Sequence, residues 1–324
     1  MTFKHEWEKL SEYTTIPEQD IRHLVAAVLP EKQLFTYEII PGGCANLNIK
    51  LLFHNDKPLI LRLYFRDKDA AYREQNIAEL ISSTVPVARY YAVGDFEQYR
   101  YAIVEYMPGI TLRDLLLDHP EENMRDIMHS AGATLAAIQA YHFDRSGFFD
   151  AQLQVRTPFS SQDLIKFIKE RLEHQTVVEQ LGAHTCNSIA RIIDTHSSYL
   201  PPDPSTHLVH ADYDPANILV HRVHNTWKIS AVIDWEFAFS GPWLCDVANM
   251  VRYAHHMPLI FESSFLQGIH DAGLELPDHW RITVDLLNLV SLLDCLVHCP
   301  PQQRPRQCAD IIQLIQHIIR RLKS

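Results

Sequence analysis

The chain has 324 residues, 47% hydrophobic and 21% charged, which excludes a disordered or collagen-like polymer and provides enough apolar mass for a large core. Its formal charge of −11 argues against nucleic acid as a partner. The negative excess is uneven: residues 1–110 are net −3, residues 111–239 net −7 and residues 240–324 net −1.

The opening MTFKHEWEKL lacks the apolar core of a secretory signal. Residues 16–29 read as an amphipathic helix, with Pro17 in its first turn and Pro30 just past its end. The period then changes. Residues 35–40, 48–54 and 59–65 are short, apolar and β-rich, separated by Pro41-Gly42-Gly43 and by Asn55-Asp56-Lys57-Pro58. Helical spacing returns over 68–82, followed by strands at 87–93 and 99–105. From Thr111 onward the pattern is mostly helical, at about 111–118, 122–141, 160–180 and 184–199, then 243–256, 259–272, 279–298 and 307–322. A small β insert near 208–210, 217–221 and 227–233 interrupts it. The longest apolar stretch, residues 286–297, is broken by Asn288, Ser291 and Asp294, so no membrane span is expected.

The six cysteines, Cys44, Cys186, Cys245, Cys295, Cys299 and Cys308, contain no C-x-x-C pair. A zinc site drawn from Cys295, His298, Cys299 and Cys308 has the wrong spacing. The expectation is reduced thiols and a cytoplasmic location. His255-His256 reads as a surface or core pair rather than a metal site.

The most informative segment is residues 207–220, HLVHADYDPANILV. Two apolar β-like stretches flank a polar loop with His210, Asp212 and Asn217 in an H-x-D-x-x-x-x-N pattern. Seventeen residues on, Val232-Ile233-Asp234-Trp235-Glu236 places another carboxylate at the end of an apolar strand. A strand–loop–strand hairpin brings such groups side by side, as phosphoryl transfer needs. One carboxylate takes the acceptor's proton; an amide oxygen and a second carboxylate hold Mg²⁺, which prefers hard oxygen ligands. Arg62 is a lone cation in an apolar strand and must find a partner. Signatures of other nucleotide and hydrolase classes, G-x-x-x-x-G-K-[ST], G-x-S-x-G and G-x-G-x-x-G, are absent.

On these residues the chain resembles the aminoglycoside phosphotransferase superfamily, relatives of choline, homoserine and methylthioribose kinases, over about residues 35–246. The resemblance implies an α+β, protein-kinase-like two-lobe fold, with a small antiparallel sheet lobe (1–106, including the N-terminal helix) and a larger helical lobe (107–324). It implies Asp212 as catalytic base and Asn217 and Asp234 as Mg²⁺ ligands. His210 then braces the loop, and Asp246 serves as support. Glu236 is assigned to the surroundings of the metal, and Asp214 to capping or rimming the loop. Gly43, Ala45 and Asn46 match the family's Gly-Gly-x-x-Asn nucleotide loop, and free backbone N–H groups there bind phosphate. Arg62 matches the phosphate-binding cation, with Glu74 as its ion-pair partner and Glu79 as the fallback. The Glu105 carbonyl and Met107 N–H match the hinge that pairs with a purine edge, a backbone device that does not separate ATP from GTP. The expected partners are a nucleoside triphosphate and a small-molecule hydroxyl acceptor, either an aminoglycoside-like antibiotic or a metabolite. The acidic middle third suits a cationic acceptor, but the last 85 residues, expected to line that pocket, are nearly neutral. The segment between Asp234 and Asp246 is too short for a protein-kinase activation loop. The competing reading is a non-catalytic nucleotide-binding module, which loss of Asp212, Asn217 or Asp234 would have favoured.

Overall fold

A computed structural model describes residues 3–8, 16–40, 46–119 and 122–323. Helix α1 (Glu18–Val28) precedes a meander of β1 (Leu34–Ile40), β2 (Asn46–Phe53) and β3 (Leu59–Tyr64). Helix α2 (Ala70–Ile81) and strands β4 (Tyr90–Phe96) and β5 (Tyr99–Glu105) follow, closing an antiparallel sheet of order β1-β2-β3-β5-β4. Because strand side chains alternate between faces, β3 serves two clusters. Leu59, Leu61 and Leu63 pack with Ile49 and Leu51 under Ile21 and Leu24 of α1. On the other face Ile60 and Tyr64 meet Ala70, Ala71, Ala102, Val104 and Met107. Arg62 shares this second face, in a strand paired on both sides, so it is no edge-strand surface residue.

The chain leaves the sheet through residues 106–109. Gly109 turns at φ 126°, and a Cβ there would sit 2.1 Å from the Val220 carbonyl oxygen. Only glycine allows this connection to lie so close to the next sheet. That sheet joins β6 (Ile110–Thr111) to a later hairpin and leads into α3 (Leu112–Asp118) and α4 (Met124–Gln139). Next come β7 (Gly147–Phe149), β8 (Val155–Pro158), α5 (Ser161–Glu173), α6 (Gln175–Leu181) and α7 (Ala183–His196). Strand β9 (His207–Val209), the hairpin β10 (Ile218–Val223) and β11 (Thr226–Val232), and β12 (Phe239–Gly241) frame the polar loops. Helices α8 (Leu244–Val251), α9 (Leu259–Asp271), α10 (Trp280–Val297) and α11 (Pro305–Lys323) complete the helical lobe. The apolar residues of α11 recur at Ile311, Leu314, Ile315, Ile318 and Ile319, all buried, as an amphipathic helix requires. The molecule is thus α+β, a five-stranded antiparallel sheet beside a larger, mostly helical body.

Several expectations change. The helix expected over 160–180 breaks at His174, whose backbone is extended and whose ring nitrogen caps α6 by accepting from Thr176 N–H at 3.3 Å. The strand expected at 87–93 begins three residues later, at Tyr90. Strands β7, β8 and β12 carry too few residues for a period to show. Residues 3–8, assigned from sequence to the sheet lobe, pack against the helical body: Phe3 lies 5.2 Å from the Tyr253 ring and 5.9 Å from that of Phe261. The cysteines are not all reduced. Cys299, just past α10, and Cys308, in the first turn of α11, form a disulfide, the intervening turn bringing their Cα atoms to 5.9 Å. Among the described residues no group of three or more His, Cys, Asp or Glu is arranged to hold a metal ion, and no helix is long and apolar enough to cross a membrane.

Candidate active site

The site is built on the short loops that follow β9 and β11. After β9 the backbone turns through Ala211 at φ 72°, a left-handed conformation costing a non-glycine residue about 1–2 kcal/mol. The buried Asp246, at the start of α8, holds that turn. Its carboxylate accepts the His210 N–H at 2.8 Å and the Ala211 N–H at 2.9 Å. Asn249, one helical turn on, donates to the Ala211 carbonyl at 2.7 Å and is itself held by Arg252. Burial pushes the Asp246 carboxyl up to about 7.

His210 ties the two loops together. Its Nδ1 accepts the Asp212 N–H at 3.2 Å, so Nε2 carries the proton and donates to the Ile233 carbonyl at 2.9 Å. Burial depresses its pKa, which keeps this neutral tautomer. Ile233 N–H donates in turn to the Asn217 carbonyl at 3.0 Å, setting Asp234 beside Asn217. Asn217 Nδ2 donates to Asp212 twice, to the backbone oxygen and to Oδ2, both at 2.9 Å, and its amide oxygen takes no hydrogen bond among the described residues. Asp234 is also left-handed, at φ 70°. Strained backbone at two adjoining loop positions persists only where surrounding contacts over-determine it.

Across the cleft, Arg62 reaches from β3 to the Asp234 carboxylate, to Glu74 at 3.2 Å and toward Glu236 at 4.0 Å. Glu74 is therefore the partner, and Glu79 bonds Gln75 instead. Tyr64 and Tyr90 both donate to Glu74, which sits 1% exposed. Burial raises the Glu74 pKa against the pull of Arg62. Glu236 accepts from Asn46 Nδ2 at 2.9 Å, and burial beside the Asp234 charge pushes its carboxyl up to about 8. Arg73 of α2 clasps the Glu236 backbone carbonyl, at 2.5 Å from Nη2, and so ties this segment to the sheet. Arg62 Nε and Asn46 Oδ1 are buried with no hydrogen-bond partner among the described residues. Glu105 ends β5, and Met107 follows it against the Tyr64–Val104 cluster. Gly43 and Ala45 lie outside the described residues.

The structure therefore brings Asp212, Asn217, Asp234, Arg62, Glu74, Glu236, Asn46, His210 and Asp246 into one continuous network. Asn217 and Asp234 offer oxygen donors of the kind a hard divalent cation takes. Asp214 caps the following turn, accepting Ala216 N–H at 2.8 Å.

One site residue has no counterpart in the sequence reading. The Lys4 ammonium bridges the Asp212 carboxylate and Asp214 Oδ2, the latter at 2.5 Å. Burial works to raise the Asp212 pKa, but the Lys4 charge prevails and holds it below the ordinary value. Asp214, more deeply buried and facing Asp212 as well, is pushed up. No periodicity or spacing announces a contact across 208 residues. Asn249 did leave a trace, as an amide within the apolar run of α8, LCDVANMV.

A sheet lobe and a helical lobe that share a polar junction of this kind define the two-lobed, kinase-like class of α+β proteins. The chain belongs to the phosphotransferase enzyme family, which it matches over residues 36–282. It is 26% identical over 196 residues to the hygromycin-B 4-O-kinase of Escherichia coli, an alignment covering 56% of this chain and 52% of that protein. It is 28% identical over 175 residues to acyl-CoA dehydrogenase family member 10 of Mus musculus, covering 53% of this chain and 15% of that protein. The chain thus spans about half, or less, of the length of these curated relatives. The fold of the aminoglycoside phosphotransferase APH(4)-Ia superposes with a TM-score of 0.73 at 18% identity, over 94% of this chain and 99% of that one.

Proposed function

We propose that the chain is a nucleotide- and Mg²⁺-dependent phosphotransferase that phosphorylates a hydroxyl group of a small molecule. The observation that carries the reading is the junction itself: Asp212 and Asn217 are hydrogen-bonded to each other, and Asp234 is tied to them through His210 and Ile233. Arg62 approaches from the other lobe with its own counter-ion, Glu74. Family membership supports the same chemistry, and a thermostable mutant of APH(4)-Ia has been crystallised as a ternary complex with AMP-PNP and hygromycin B.

In this reading Asp212 accepts the acceptor's proton as a general base. Asn217 orients that carboxylate through Nδ2. Arg62 steadies the phosphates, and Gly43, Ala45 and Asn46, the last at the start of β2, are assigned to binding them. The Glu105 carbonyl and Met107 N–H face the purine, with ATP and GTP both admissible. The nucleotide lobe covers residues 16–106 and the acceptor lobe 107–324, with residues 3–8 on the latter. The amide oxygen of Asn217 and the carboxylate of Asp234 would hold Mg²⁺. Two protein oxygens suit that ion, which keeps several waters and takes the rest of its shell from substrate phosphates. When bound it neutralises charge on the nucleotide's phosphates. His210, Asp246 and Glu236 position these groups. A triphosphate donor favours the cytoplasm as the place of action. The acceptor, antibiotic or metabolite, is what a substrate screen decides.

The test is a screen of hydroxylated antibiotics and metabolites with Mg·ATP and Mg·GTP, followed by Asp212→Asn. Transfer should fall by roughly 10²–10⁴-fold with nucleotide affinity nearly unchanged. A kcat retained in that variant removes the base assignment.

A further inference from the structure

Residues 3–8 are anchored at four points, all on the acceptor side of the site. Phe3 is 2% exposed between the rings of Tyr253 and Phe261. Lys4 spans the Asp212 and Asp214 carboxylates with its own side chain only 14% exposed. Trp7 Nε1 donates to Asp310 at 2.8 Å. Glu8 caps α11, accepting the Arg306 N–H at 3.1 Å and the Gln307 N–H at 3.3 Å. Phe3 and Lys4 are both left-handed, at φ 35° and 62°, a conformation that two consecutive non-glycine residues keep only when outside contacts impose it. An acceptor hydroxyl must approach Asp212 to within hydrogen-bond reach. The Lys4 ammonium already fills that approach.

We propose that residues 3–8 are an autoinhibitory strap, with Lys4 seated as an internal stand-in for the acceptor, which must displace it before transfer. The inference rests on the reading of Asp212 as the base. Two carboxylates that would otherwise repel each other are compensated by the Lys4 charge. Apparent acceptor affinity is then reduced by the fraction of molecules in which the strap is seated. The four anchoring contacts, to Tyr253, Phe261, Asp212, Asp214, Asp310 and the α11 N–H groups, include neither Asp234 nor Arg62.

The experiment uses the full chain in three forms: wild type, Phe3→Asp, which expels the aromatic anchor, and Lys4→Met, which keeps the methylene stem and removes the charge. Seating is read without any ligand, by carbodiimide-activated labelling of carboxylates followed by mass spectrometry. Asp212 and Asp214 should be protected in the wild type and labelled several-fold faster in Phe3→Asp. With any acceptor that supports turnover, both variants should lower the acceptor KM by about tenfold or more and leave the nucleotide KM unchanged. Equal labelling of Asp212 and Asp214 in all three forms overturns the proposal. So does faster labelling in Phe3→Asp with an unchanged acceptor KM. Absence of turnover in every form, with protection in the wild type alone, supports the seated strap while sinking the phosphotransfer reading.

Discussion

Replacing Asp246 with alanine removes one buried carboxylate from beneath the 210–217 loop. That group accepts two backbone N–H bonds, from His210 at 2.8 Å and from Ala211 at 2.9 Å, and is itself 0% exposed. Each N–H left buried without an acceptor costs about 1–3 kcal/mol. The left-handed turn at Ala211 also loses its brace. Against these losses, the variant no longer buries a carboxyl whose pKa is pushed from 3.8 up to about 7. We expect a net loss of about 2–4 kcal/mol at pH 5, read as a shifted urea midpoint with an unchanged slope. The pH dependence has a definite sign. Because the folded-state pKa is raised, wild-type Asp246 keeps a proton that the unfolded chain has already released. The stability this confers is complete below the unfolded pKa and is lost as pH rises through about 7. The alanine variant has no such group, so the gap between the two proteins should narrow by up to about 1.4 kcal/mol per pH unit between pH 5 and 7. Urea unfolding at pH 5, 6 and 7 measures this directly, and Asp246→Asn, which keeps one acceptor oxygen, should fall between. A loss below about 0.5 kcal/mol at pH 5, or a gap that widens with pH, would refute the reasoning.

Arg62→Ala leaves Glu74, Asp234 and Glu236 facing one another without their cation; it should lower stability by about 3–5 kcal/mol and raise the nucleotide KM. Arg62→Lys should restore part of both, and an alanine variant with wild-type unfolding and KM would remove Arg62 from the network. Glu236→Gln should flatten the wild-type fall in stability between pH 5 and 8, because the native carboxyl, raised to about 8, loses its stabilising proton as pH rises through that value. Parallel melting profiles of the two proteins across that range would contradict the assignment.

Most of the longer helices and strands, and the polar groups at their ends, were legible in the residues alone, whereas the three- and four-residue strands β7, β8 and β12 were not. The short apolar run LILRLY marked a strand carrying one lone cation, and a charge in such a strand demands a partner. The 3.6-residue period located the helices to within a few residues, because burial of one face dictates it. The spacing of His210, Asp212 and Asn217, together with Asp234 after a second apolar strand, was legible because one hairpin connects them. Packing, by contrast, selected the contacts whose partners share no local pattern. Both Glu74 and Glu79 lie on α2, and only the packing of α2 turned Glu74 inward to Arg62. The Cys299–Cys308 disulfide depended on how the turn before α11 closes. The seat of Lys4 between Asp212 and Asp214 depended on where a short N-terminal segment docks on helices near the other end of the chain. Local sequence encodes the geometry of neighbours along the backbone; pairs separated by two hundred residues are chosen by what the folded surfaces leave uncompensated, and a lysine between the half-buried Asp212 and the buried Asp214 is that choice here.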